Sequence, residues 1–226
     1  MKMQMKKLDY TKRLNEVDIH GKQNLDVVCT SNPDVADEMI NRMRMKIGGL
    51  IPRYIGIDVE YSKEDGPLQR AAVLQLCMDE LPLIYHITAT TKWPKGLRPL
   101  LKEKLYTFVG FSIEGDKRML KESGLEINPN KYIDMQCKWR VTFMGGKRFH
   151  SLADVAGSVI HPFYKHMKYK IDREEDHKLW GINPVSDYRI EYAALDAYAT
   201  YESWKRIEKN QRRSGVLKGK TGGGVL

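Results

Sequence analysis

Tyr54-Ile55-Gly56-Ile57-Asp58-Val59-Glu60-Tyr61 (residues 54–61, YIGIDVEY) is the run from which the architecture of this chain follows. Its β-branched and aromatic residues favour a strand. In a strand, Asp58 and Glu60 project from one face while Ile57 and Val59 point to the other. Two more short apolar runs follow across polar or Gly/Pro turns, AAVLQLCM at 71–78 and PLIYHI at 82–87. Three successive strands of this kind predict an antiparallel meander.

Beyond Pro94 the pattern alternates. A short helix (GLRPLLKEK, 96–104) precedes an apolar strand (YTFVGF, 106–111), and a helix (IEGDKRMLKES, 113–123) precedes a strand near KYIDM (131–135). A helix follows near SLADVAGSVI (151–160), and the longest helix runs from after Ser186 to about Lys209. Upstream of the meander, Glu16 to Ser31 reads as a hairpin around His20-Gly21. Ser31-Asn32-Pro33-Asp34 then supplies cap and first-turn residues for a helix through about Lys46, ended by Gly48 and Gly49. The expected organisation is a basic, disordered lead over residues 1–12, one domain over 13–209 and a flexible, basic, Gly-rich tail over 210–226. A meander followed by alternating helices and strands predicts an α/β mixed sheet with helices on both faces.

Composition narrows the class. The chain has 226 residues, 42% hydrophobic and 30% charged, with a mean hydropathy of -0.52, as in ordinary globular proteins. No apolar run reaches the ~18 residues of a membrane span, and the basic amino terminus lacks the apolar core of a secretory signal. An intracellular, reduced setting is expected, the nucleus ahead of the cytoplasm. Cys29, Cys77 and Cys137 are too few and scattered for a disulfide framework, and neither they nor the six histidines have metal-site spacing. The net charge of +9 favours a polyanionic partner, although a solvated Lys/Arg surface produces the same value.

Two carboxylates on one strand face repel unless a cation lies between them, in which case the repulsion becomes binding energy. Chance alone supplies about four acidic pairs at this spacing in such a composition, so the pair needs company. Tyr192 and Asp196 stand four apart on the long helix, within YAALDAY, and therefore share a face. Ala193, Ala194, Ala197 and Ala199 let that helix approach a sheet closely. An Asp on the approach face then needs a metal or donors, whereas an Asp on the outer face needs nothing. Asp116 follows an apolar strand near a helix start, where a carboxylate is also favoured simply by the helix dipole.

IGIDVEY, VLQLC, VGFSIEGDKRML and EYAALDAYA, in that order, resemble the exonuclease domain of the Werner syndrome protein and its small plant relatives, members of the DEDDy 3'-5' exonucleases. The leader (VDIHG, DVVCTSNPDVADEMI) is similar to the plant form, and the likeness spans residues 16 to 209. The resemblance implies a ribonuclease H-like fold and a nucleic-acid substrate, DNA ahead of RNA. It also implies two divalent ions, Mg²⁺ or Mn²⁺, held by Asp58, Glu60, Asp116 and Asp196. By the same likeness Tyr192 orients the attacking water. A sister class carries His five residues before its last Asp; here that residue is Glu191, which fits the tyrosine class.

Candidate substrate contacts are Tyr61 beside the first motif, Lys165, Lys168 and Lys170 among the aromatics of HPFYKHMKYK (161–170), and Arg140 and Arg148 in a cluster with Lys138 and Lys147. Each has an ordinary surface or packing reading as well. DREEDHKLWG (172–181) departs from the more basic stretch of relatives, and its acids would repel phosphates. An exoribonuclease and a non-catalytic nucleic-acid or protein-binding module stand as alternatives. No helicase-length segment is present, so a helicase, or a repair or silencing complex, is the expected partner for unwinding.

Overall fold

The computed structural model describes residues 9–21, 24–46, 53–62, 70–138, 150–170 and 179–213. The meander forms as expected from β3 (Arg53–Ser62), β4 (Arg70–Met78) and β5 (Leu81–His86), each strand antiparallel to the next. Ahead of it, β1 (Thr11–Asp18) and β2 (Asn24–Thr30) form the hairpin, with His20 and Gly21 at positive φ in the turn. Thr11 and Lys12, read from the sequence as part of the lead, already pair with Thr30 and Cys29 in that ladder.

β2 also runs parallel to β5, so the hairpin extends the central sheet. At the other edge, β6 (Tyr106–Gly110) and β7 (Tyr132–Asp134) add parallel strands, giving seven in the order β1-β2-β5-β4-β3-β6-β7. Placing β3 and β4 at the middle buries them, and β4 is buried from Ala71 to Met78.

The helices form where sequence chemistry places them. Pro33 opens α1 (Pro33–Met45), and Asn32 Oδ1 accepts from the Asp34 and Val35 amides. Gly48 and Gly49 lie outside the described residues. α2 (Leu97–Lys102), α3 (Glu114–Glu122), α4 (Met135–Lys138) and α5 (Leu152–Val159, capped by Ser151) precede a 3-10 helix, Pro162–Lys170. α6 (Asp187–Arg213) ends four residues beyond the expected Lys209 and packs across β3, β4 and β5.

One glycine sets how closely α6 lies on the sheet. A Cβ at Gly56 would stand 2.5 Å from the Ala197 carbonyl oxygen and 2.9 Å from Tyr201 Cβ. No side chain fits between β3 and α6 there, so the backbones cross in near contact. Two residues further along β3 is Asp58, and one residue before Ala197 is Asp196. The Gly56–Ala197 crossing thereby delivers acids from distant parts of the chain to one place.

Candidate active site

On the α6 side of the sheet, one carboxylate oxygen each from Asp58, Glu60 and Asp196 lies within 4.8 Å of the others. Asp196 is 4% exposed, and Asp58 and Glu60 are partly buried. Desolvation first, then the charges of Asp58, Asp196 and Asp116, pushes the Glu60 carboxyl well above the usual carboxylate range, with Gln75 opposing. Asp58 Oδ1 accepts from the Val59 amide at 2.9 Å.

Asp116 stands outside that triangle but within its field. It is 8% exposed, and burial followed by the charges of Asp58 and Asp134 raises its carboxyl to about 9. Helix capping does not account for it: Ile113 holds the N-cap of α3, and no side chain caps that end. The strand-to-helix turn places Asp116 instead. Asp134, at the end of β7, accepts from the Ser112 amide at 3.1 Å and the Gln136 amide at 2.9 Å, and Ser112 takes positive φ. A Cβ at Gly110 would lie 2.8 Å from the Ile113 side chain, so this tight return requires glycine.

Tyr192 lies one turn before Asp196, on the same face of α6. Burial, then the charges of Asp196, Glu60 and Asp58, holds its hydroxyl far above the ordinary phenol range, so it remains a protonated donor. The buried Trp180 ring packs against it, with centroids 6.4 Å apart. Tyr192 also lines a cavity of about 240 Å³ together with Phe163, His166, Met167, Tyr188, Glu191 and Leu195.

The substrate candidates divide. Phe163, one of the aromatics read among the lysines of this segment, reaches this cavity, and so does His166, which the sequence reading did not single out. Tyr164 is core: fully buried, it hydrogen-bonds to His20 and stacks on Tyr198. The Lys165 stem packs over Gly157 of α5, which does not bring it to the carboxylates. Tyr61 is half-buried against the core beside a bulge, where Ala72 is skipped between the Glu60–Val73 and Tyr61–Ala71 pairs. Arg140, Arg148 and Lys147 lie outside the described residues, as do the side chains of Lys138, Lys168 and Lys170. Asp134 and Gln75 were missed. An Asp ending a parallel strand is the signal for the first, and an amide inside an apolar strand is the signal for the second.

The model of the 3'-5' exonuclease family matches residues 28–211. The chain belongs to this family. The Mus musculus bifunctional 3'-5' exonuclease/ATP-dependent helicase WRN is 26% identical over 163 residues, 70% of this chain and 11% of that protein. An Arabidopsis thaliana 3'-5' exonuclease is 23% identical over 208 residues, covering 88% of this chain and 62% of that protein. The chain thus spans less than two thirds of these relatives.

Solved exonucleases share the fold. Escherichia coli RNase D superposes with a TM-score of 0.63 at 19% identity, over 86% of this chain and 47% of that one. The Aedes aegypti Nibbler EXO domain gives 0.59 at 16%, over 80% and 86%. The exonuclease domain therefore has the expected ribonuclease H-like mixed sheet. With its acidic cluster it is a hydrolase domain of the two-metal-ion exonuclease type. Among the described residues no helix is long and apolar enough to cross a membrane.

Proposed function

We propose that this chain removes nucleotides from the 3' ends of nucleic acids by hydrolysing phosphodiester bonds, with DNA as the preferred substrate. The observation that carries this reading is the convergence of Asp58, Glu60 and Asp196 oxygens within 4.8 Å on the α6 side of the sheet. The main charges acting on Glu60 and Asp116 are those of other carboxylates, an arrangement that favours bound cations.

Hard oxygen donors suit Mg²⁺ or Mn²⁺. Asp58, Glu60, Asp196 and Asp116 would hold the ions. Bound there, they would activate the attacking water and offset charge on the leaving 3'-oxygen.

The chain's own groups do the remainder. Tyr192, its hydroxyl held above the ordinary phenol range by burial, donates a hydrogen bond toward the attacking water or scissile phosphate. Phe163 and Tyr188, beside Leu195, offer the terminal base a ring-lined cavity. Tyr61 is a further candidate for stacking, and Lys165, Lys168, Lys170, Arg140 and Arg148 are candidates for neutralising backbone phosphates.

RNA is the second reading, because E. coli RNase D, which shares the fold, is an exoribonuclease. A helicase partner is consistent with the helicase named in the mouse relative. The test is digestion of 5'-labelled single-stranded DNA, recessed-end duplex and RNA in Mg²⁺, Mn²⁺ and chelator. A ladder shortening from the 3' end, stopped by chelator and faster on DNA, is expected. Intact strands in both metals would refute the activity, and faster loss of RNA would reverse the substrate order.

A further inference from the structure

Gln75 lies in the middle of β4, fully buried, and pairs directly with Asp58 across the β3–β4 ladder. Opposite residues share a sheet face, so its side chain stands on the face that carries Asp58 and Glu60. Its neighbours on that face are Val73 and Cys77 along β4 and Ile84 on β5. Leucine or methionine would fill such a position without burying an amide. Among the described residues, neither Nε2 nor Oε1 of Gln75 has a hydrogen-bond partner of good geometry. Glu60 is the diagonal neighbour, within reach of a long side chain, whereas Asp58 Oδ1 already accepts from the Val59 amide.

We propose that Gln75 is a positioning residue of the exonuclease site, its otherwise unpartnered Nε2–H available to the Glu60 carboxylate when a divalent cation draws Glu60 together with Asp58 and Asp196. This rests on the proposed exonuclease reading. Gln75 itself touches neither ion nor substrate, and its contribution is to remove the freedom of a glutamate that would otherwise swing away from two like charges.

The test compares the wild-type chain with Gln75→Met and Gln75→Leu. Melting temperature is measured in chelator and in Mn²⁺, Mn²⁺ affinity by calorimetry, and kcat and KM on labelled single strands. An apolar side chain in place of an ill-matched buried amide should leave the melting temperature in chelator unchanged or higher. Mn²⁺ affinity should fall at least tenfold, and kcat should fall with KM for the strand unchanged. Wild-type Mn²⁺ affinity in either variant would overturn the proposal. So would failure of both to fold, which would make Gln75 a core residue only. A wild-type chain that binds no Mn²⁺ and degrades no strand would instead remove the exonuclease reading, and this one with it.

Discussion

Two regions of this molecule bury polar groups against the same sheet, and they treat them in opposite ways. Around Tyr10, on the β1–β2 side, donors and acceptors match. The Tyr10 hydroxyl shares a 2.8 Å hydrogen bond with His86 Nδ1 and accepts from the Val185 amide at 3.2 Å, and His86 Nε2 meets Thr88 Oγ1 at 2.9 Å. Thr30 and Ser31 hydroxyls bond to the Tyr10 main chain. At the Gly56–Ala197 crossing, carboxylates face carboxylates. A matched network ties the hairpin and the start of α6 to the sheet and asks nothing of solution. A set of like charges is complete only when something positive joins it.

The largest effect should come from removing an acid at the crossing. Asp58→Ala or Asp196→Asn is expected to lower single-turnover hydrolysis by about a thousandfold or more, as loss of a metal ligand does. The melting temperature in chelator should be unchanged or higher, because repulsion has been relieved. Gly56→Ala attacks the crossing itself. The methyl group would meet the Ala197 carbonyl and Tyr201, so a loss of about 1–3 kcal/mol in denaturant unfolding is expected, with hydrolysis falling alongside.

On the matched side the balance reverses. Tyr10→Phe leaves His86 short of a partner and should cost about 1–2 kcal/mol in the same unfolding experiment, with per-molecule activity unchanged. Activity lost in proportion to stability would mean that the two regions are not separable.

A further effect is in pH. Asp116, ordinarily near 3.8, titrates near 9 in the folded chain, and Glu60 is raised in the same direction. The folded state therefore holds protons that the unfolded state has released. This contribution to stability is complete below about pH 4 and is lost as the pH climbs to about 9. Melting temperatures in chelator should decline across that window, and Mg²⁺ should flatten the decline. A profile rising with pH would contradict the burial of facing acids.

Much of this was legible in residues. Short β-branched or apolar runs between polar or Gly/Pro turns revealed β3, β4 and β5, and the two-residue spacing of Asp58 and Glu60 placed both on one face. The alanines around Asp196 announced a close helix, but its partner Gly56 was not recognisable, because a glycine in a strand does not say what approaches it. The parallel pairing of β2 with β5 joins segments about fifty residues apart, and no local pattern specifies such contacts. Asp134 bonds to the Ser112 and Gln136 amides and Gln75 stands opposite Asp58, and both placements needed the fold first. In the 161–170 segment the lysines drew attention, while burial and the cavity separate Tyr164, in the core, from Phe163 and His166.

The most direct test of the central claim is anomalous diffraction from crystals of the wild-type chain soaked in Mn²⁺. The expected result is a strong peak enclosed by the carboxylates of Asp58, Glu60 and Asp196, absent after Asp58→Ala. A map with no peak there, or with a lysine or arginine head group filling that space, would contradict the account.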